Sequence, residues 1–438
     1  MHKRLIIFVS TLFIVLLLAA SFVSGMVIGG IVAEKPSPKT YTQPTQPNQP
    51  TQPKKLTDPA DISLIQEVLA EIAHGYVEKV STEKLINGAV DGMIKTLKDP
   101  YTRRLKKKDY GHFQEQTTGH FGGVGMELGL RKKQLTVVTP IKNTPADRAG
   151  IQAGDKIAKI DGESTKDMGI EKAVKLIRGP KGSKITLEFT RGKDKTFSKE
   201  LTREEIKIPN VSGKLLNGNI AYIKAHGFNT DSSQDILDEL NDLKAKGATS
   251  LILDLRNNPG GLLDEAVKVS SLFIKSGPIV KVKSRTGETD TFSASNGADD
   301  TIPLVILVNK GSASASEIVG GAIQDVGRGV LVGETTFGKG SVQTVIPLAD
   351  DSALVMTTAK YLTPKNRSLN KRGIKPDVVV KLKKKDWHKM GTAKDVQLKK
   401  AKAIIRDLRA GKKIKEIKSE SVKTKDSSSK KSKSKTKN

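Results

Sequence analysis

Apolar positions along the 438-residue chain change their spacing several times, and each change predicts a different kind of structure. Residues 5–33 carry no charged side chain, a 29-residue run long enough to span a bilayer and too long for the apolar stretch of a cleaved signal peptide. His2, Lys3 and Arg4 precede it and favour an N-in, C-out orientation, so residues 1–33 are expected to form a single transmembrane anchor. Cleavage after Ala20 or Ala33 is the alternative. Residues 34–56 hold six prolines among Gln and Thr, a composition that builds no core and reads as an extended spacer.

A helical period begins past residue 57. Ile62, Ile65, Leu69 and Ile72 share one face, and after Ser81, a good N-cap, Leu85, Ala89, Met93 and Leu97 repeat the pattern. Residues 57–118 are therefore expected to form a helical module. Over 119–205 the period shortens to β-type runs (LTVV, KIAKI, KITLEF) separated by glycine turns, with one helix at 170–177, which predicts a small separate domain. From 206 to 383 apolar strands alternate with helices at 232–246, 262–274 and 314–326, the signature of an α/β layer with buried, partly parallel strands. Residues 384–438 turn to a lysine-rich tail: one helix is expected at 395–408, and the final KTKDSSSKKSKSKTKN reads as disordered.

Charge sharpens this division. The formal net charge is +28, of which +16 lies in residues 381–438. Aromatic residues make up only 4%, too few rings for a basic groove that stacks bases, so no nucleic-acid partner is expected. The absence of cysteine excludes disulfides, thiolate metal sites and cysteine nucleophiles. No HExxH pattern or tight His/Asp cluster occurs, and neither a metal nor a cofactor is expected.

Three segments could carry chemistry. In LVILVNKGSASASEIVGGAI an apolar strand ends at Val308 and a helix begins among Ser312, Ser314 and Ser316. A serine there sits near free backbone N–H groups that can donate to a developing oxyanion, although caps and small packing residues would look the same. A serine nucleophile needs a base. His226, with Asp254, would complete a Ser-His-Asp triad; the other choice is Lys339 in GETTFGKGSVQTVIPL. If residues 339–343 are extended, Lys339 and Gln343 face one side, so Gln343 could hydrogen-bond the amine, and burial could lower its pKa enough for a base. Gly333, Gly338 and Lys339 also imitate a phosphate-binding loop, but Gly340 replaces the required hydroxyl and a strand follows instead of a helix. In DLRNNPGGLLDEA a strand ends at Leu255, and amides of the Pro259-Gly260-Gly261 turn could supply the second half of an oxyanion hole.

Taken in order, DPYT, FGGVGMEL, AGIQAGDKI, IRGPKG, DLRNNPGG, GSASASEI and FGKGSVQ resemble the motifs of the C-terminal processing (tail-specific) peptidases, family S41, over residues 62–380. The resemblance implies a serine endopeptidase whose core is a crotonase-like ββα superhelix with a PDZ domain inserted before it. It implies Ser314 as nucleophile, Lys339 as general base and Gln343 as its orienting partner. The amides of Gly260 and Ala315 would form the oxyanion hole, with Gly261 an adjacent choice. The residues alone do not select Ser314 over its two neighbours.

The PDZ resemblance brings a substrate logic: such domains add a peptide as an extra strand and hold its carboxylate on backbone amides, here those of Gly123, Val124 and Gly125. Substrates are therefore expected to be proteins with accessible, apolar or small-residue C-termini, and Arg178 in IRGPKG is expected to couple PDZ occupancy to the active site. The implied setting is the cell membrane, single-pass, with the catalytic part extracytoplasmic. Self-association as a homodimer and contact of the Lys-rich tail with anionic cell-wall polymer or lipid are further expectations. A catalytically inactive PDZ scaffold is the alternative, opposed by the joint presence of Ser314, Lys339 and Gln343.

Overall fold

The computed structural model describes residues 59–420 apart from 132, 193, 194 and 296. The expected anchor (1–33), the spacer (34–56) and the end of the lysine tail past 420 lie outside the described residues. Among those described, no helix is long and apolar enough to cross a membrane. The chain divides into two units, residues 1–76 and 77–438. Among the described residues the first contributes helix α1 (Pro59–Gly75), which carries the Ile62, Ile65, Leu69 and Ile72 period.

The second unit opens with α2 (Thr82–Thr96), capped by the Ser81 hydroxyl, which accepts the Lys84 N–H at 3.3 Å. A short strand, β1 (Arg103–Leu105), and helix α3 (Lys107–Thr118) follow. Then β2 (His120–Gly123) pairs antiparallel with β9 (Glu204–Lys207), so the intervening chain leaves and returns through a two-stranded neck.

Beyond that neck lies a small sheet in the order β3 (Met126–Arg131), β4 (Gln134–Pro140), β5 (Lys156–Ile160), β7 (Lys184–Arg191) and β8 (Lys195–Thr202), with β6 (Glu163–Ser164) on β5. Helices α4 (Pro145–Arg148) and α5 (Ile170–Ile177) close it. Leu135, Val137, Ile157, Leu187 and Phe189 bury a core of their own, the mark of a separately folding insert. Within this sheet β3 pairs only with β4 and is an edge strand.

The α/β layer is a six-stranded sheet ordered β10 (Val211–Leu216), β11 (Ile220–Ala225), β12 (Ser250–Asp254), β15 (Leu304–Val308), β16 (Val330–Gly333) and β19 (Val378–Val379). All neighbours are parallel except β10 and β11. SLILD and LVILV are buried at every position because both faces are covered. One face packs on α6 (Ser232–Ala245), α7 (Leu263–Ser271) and α8 (Ala315–Val326) through Leu251, Leu253, Ile306 and Val308. The alternate residues Ile252, Val305 and Leu307 pack on α9 (Val396–Arg409).

That last contact differs from the lysine-rich tail expected from residue 384. Leu398, Ala401, Ile404, Ile405 and Ile417 are buried in the second core, while Lys399 and Lys400 face solvent. The expected helix is amphipathic, and its lysines fall on the outer face, so a charge count conceals its buried side rather than the helix itself. A second, antiparallel sheet joins β1, β13 (Pro278–Ser284), β14 (Thr289–Ser293), β17 (Ser341–Pro347) and β18 (Ala353–Leu362).

Candidate active site

At the exit of β15 the three alternating serines meet different fates. Ser312 is fully buried, and its Oγ donates to the Leu255 carbonyl at 2.7 Å and accepts the Asn309 N–H at 3.0 Å. Ser316 is also fully buried and donates to the Asn258 carbonyl at 2.9 Å. Ser314 is half-buried at the N-cap of α8, and among the described residues its hydroxyl proton is committed to no acceptor. Its backbone stands at φ +52° and ψ −115°, a sparsely populated conformation that costs about 1–3 kcal/mol and persists only where the surroundings impose it.

Glu317 imposes it. This carboxylate is completely buried. It accepts the Ser314 N–H at 3.0 Å, the Lys339 N–H at 2.9 Å, the Gly338 N–H at 2.7 Å and the Thr336 hydroxyl at 2.5 Å. Thr336 in turn accepts the Ile374 N–H at 2.6 Å. One side chain thus ties the serine turn to the lysine loop. The Ser-x-x-Glu spacing of a capping box was its signal in the sequence, and the reading of three serines passed over it.

Lys339 is half-buried, and burial first, then the positive charge of Arg103, lowers its amine below the ordinary 10.5. Its Nζ lies 5.3 Å from the centroid of the Tyr101 ring, and no hydrogen bond or ion pair engages it among the described residues. The expected bond from Gln343 is not made. β17 begins only at Ser341 and its pairing with β18 is offset by a bulge between Val342 and Gln343, so the Gln343 amide donates to the Ser341 hydroxyl at 2.7 Å.

The glycine turn after β12 lies against the serine. A Cβ on Gly260, which adopts φ +104°, would stand 2.8 Å from the Ser314 Cβ and 2.9 Å from the Ala315 nitrogen. Only glycine permits that approach. The expected donor needs correction, however: the Gly260 N–H is held by Asn258 Oδ1 at 2.9 Å. Asn258 is itself buried, donating to the Ala225 carbonyl at 3.0 Å and accepting the Ala313 N–H at 3.1 Å. The amides left without an acceptor among the described residues are those of Ala315 and Gly261.

The competing His226 and Asp254 are engaged with other partners. His226 Nε2 meets the Ser212 hydroxyl at 3.1 Å, and burial and then Lys224 lower its pKa. The buried Asp254 carboxylate accepts the Tyr222 hydroxyl at 2.6 Å and the Arg256 Nε at 2.9 Å. Arg256, also buried, reaches on to Asp395 at 2.8 Å and Gln397 at 2.8 Å, clamping α9 to the strand that leads into the glycine turn. Strand β17, not a helix, follows Lys339, which removes the phosphate-loop reading. Among the described residues no cluster of His, Asp and Glu could hold a metal ion.

In the inserted domain Gly123 ends β2, and Val124 and Gly125 turn into the edge strand β3. Their carbonyls are used internally: Val124 accepts the Ala146 N–H at 2.8 Å, and Gly125 accepts the Ile141 N–H at 2.9 Å and the Thr144 hydroxyl at 3.0 Å. The Val124 and Gly125 N–H groups donate to nothing among the described residues. Arg178, at the end of α5, pairs with Glu115 of α3 at 2.8 Å and lies 4.2 Å over the Phe121 ring of β2.

Comparison with known proteins agrees with this architecture. The sequence matches Peptidase family S41 over residues 219–380, a PDZ domain over 136–191 and the activating protease CtpB N-terminal domain over 23–108. It is 37% identical to the carboxy-terminal processing protease CtpA of Bacillus subtilis over 319 residues, 73% of this chain and 68% of that protein. A "Probable CtpA-like serine protease" of Staphylococcus aureus is 39% identical over 327 residues, 74% of this chain and 66% of that one. The chain thus spans about two thirds of the length of these relatives. The solved photosystem II D1 C-terminal processing protease is 31% identical, covering 74% of this chain and 93% of that one, with a TM-score of 0.44. The identity to the Bacillus protein, over two thirds of its length, places this chain in the S41 family of carboxy-terminal processing serine proteases.

Proposed function

We propose that the protein is a membrane-anchored, extracytoplasmic serine endopeptidase that selects substrates by their C-terminal residues and cleaves them with a Ser314/Lys339 dyad. One observation carries the assignment. Of three alternating serines, Ser314 is the one whose hydroxyl proton has no acceptor among the described residues, in strained backbone at a helix start, on a turn joined through Glu317 to the lysine loop. Neutral Lys339 takes the Ser314 proton as Oγ attacks the scissile carbonyl, then returns it to the leaving amine. The Ala315 and Gly261 amides receive the oxyanion, with Gly260 shaping the turn. Gln343 acts through Ser341 rather than on the amine. Serine and lysine stand unbonded at rest, and their hydrogen bond forms with substrate in place.

The substrate tail adds to edge strand β3, its carboxylate on the free Val124 and Gly125 amides beside Gly123. Arg178 couples that event to the catalytic body by way of Glu115 and Phe121. An Arg178→Ala enzyme should lose activation by tail peptides, and unchanged activation removes this role. The alternation of strands and helices in the core supports the crotonase-like reading of the fold. The uncharged run at 5–33 supports anchoring with the body outside the membrane, and the basic end supports contact with anionic wall polymer or lipid. Homodimerisation completes the reading.

The test is digestion of an unstructured protein bearing an apolar C-terminus by the full chain, beside Ser314→Ala and Lys339→Ala. Cleavage by the wild type alone is expected. Residual cleavage by Ser314→Ala would overturn the nucleophile.

A further inference from the structure

The Asp99-Pro100-Tyr101-Thr102 turn lies before the inserted domain and far in sequence from Ser314, and the mechanism above makes no use of it. Its fold is tightly specified. Asp99 accepts the Tyr101 N–H at 3.1 Å on one carboxylate oxygen and the Thr102 hydroxyl at 2.7 Å on the other. Thr102, itself buried, accepts the Thr357 N–H of β18 at 3.1 Å. The next three residues, β1, pair antiparallel with β18 at 353–355, and β18 pairs with β17, which starts two residues after Lys339. A second set of ties holds the same segment down: Arg104 reaches Asp350 and Asn87, and Lys107 meets Asp351 at 2.7 Å. The product of this stitching is one ring, half-buried, with its centroid 5.3 Å from the Lys339 Nζ.

We infer that Tyr101 is a positioning residue of the active site: its ring face holds the Lys339 ammonium formed when the Ser314 proton is transferred, and so aims the amine between nucleophile and leaving group. The inference rests on the Ser314/Lys339 reading. A cation within about 6 Å of an aromatic centroid is attracted to its face, and the attraction grows as water is excluded. The groups around the amine divide in sign. Burial and Arg103 of β1 disfavour the ammonium. The Tyr101 ring favours it. Glu317 of α8 is spent on the Lys339 backbone N–H, and Asp99 is occupied by its own turn. The ring is therefore the one neighbour among these that is aimed at the charged amine and rewards it, which a base needs in the half-reaction where it becomes an acid.

The experiment measures the rate of Ser314 labelling by a fluorophosphonate against pH, using the full chain and no peptide substrate. In the wild type the rate rises with pH as Lys339 loses its proton. Tyr101→Leu and Tyr101→Met keep an apolar side chain at the site and remove the ring. Loss of support for the ammonium should move the rise to lower pH by about half to one unit. Tyr101→Phe, which keeps the ring, should leave the rise in place. A rise that stays put or moves upward in the Leu and Met variants overturns the inference, as does a Phe variant that behaves like Leu. Lys339→Ala separates the two levels: labelling at the wild-type rate and pH profile in that variant overturns the dyad and the inference together.

Discussion

In the proposed mechanism the serine turn and the Gly123–Gly125 loop of the inserted domain address the same problem, holding a negative oxygen on bare backbone amides, and they are built in opposite ways. The serine turn is fixed by buried side chains. Glu317, Asn258, Ser312 and Ser316 each commit a polar group to a backbone partner around Ser314. Behind them Arg256 and Asp395 lock the strand from which the glycine turn emerges. The Gly123–Gly125 loop is fixed mainly by backbone bonds, with the Thr144 hydroxyl as the side-chain contribution. A transition state demands donors fixed in advance, whereas a tail that adds as a strand brings its own backbone to complete the ladder. Side-chain substitutions should therefore damage catalysis heavily and tail recognition lightly.

The comparison is tested most strongly at the reacting groups. Ser314→Ala and Lys339→Ala should each lower kcat by roughly 10⁴-fold or more while leaving tail-peptide affinity intact, read by single-turnover cleavage and peptide titration. Asp395→Ala leaves Arg256 buried with one partner fewer and should cost about 3–5 kcal/mol in urea unfolding, with the inserted domain's own core unaffected. Burial raises the Asp395 carboxyl, but the Arg256 bonds and charge outweigh it and hold the group below 3.8. The stabilisation is thus present above that pH and is lost as pH falls through the lower folded value. Glu317→Gln replaces one accepting oxygen with an NH2 donor that faces the donors it served, and should lower kcat by about 10- to 100-fold, with a stability loss near 2 kcal/mol.

Weaker effects sharpen the contrast. A lysine held below 10.5 by burial and Arg103 places the rise of kcat/KM with pH below the ordinary lysine range, and removing charge in Arg103→Ala should shift that rise upward. On the other side, a Cβ on Gly125, at φ +78°, would stand 2.3 Å from the Thr144 side chain. Gly125→Ala should weaken tail-peptide binding by about tenfold, the result of roughly 1.4 kcal/mol of strain, and leave Ser314 labelling unchanged. Thr144→Val should weaken binding by a few-fold, since one hydrogen bond contributes about 1 kcal/mol. A Thr144→Val effect as large as that of Glu317→Gln would break the comparison.

The sequence displayed its regular parts well. Apolar runs such as LVILV and the LIL of SLILD could only be strands covered on both faces, and the helices at 232–245 and 315–326 followed their period. It was less informative where charge and packing share one element. Helix α9 was expected, but it carries buried Leu398, Ile404 and Ile405 under a lysine-rich outer face, and composition spoke only for that face. Strands β13 and β18, with intermediate and polar positions, gave no such run.

By itself the sequence determined the types of residue at the site and their order: a serine cluster opening a helix, a lysine between glycines, a glycine pair after a strand. Those choices are local, because caps, turns and periodicity are satisfied by near neighbours. Which serine stays uncommitted and which ring lies under the lysine were decided only by the fold. Each depends on a partner far along the chain: Leu255 for Ser312, Asn258 for Ser316, Glu317 for the lysine loop, Tyr101 for the amine. A hydroxyl is available for chemistry when the tertiary structure leaves it without another acceptor, and no local pattern records that.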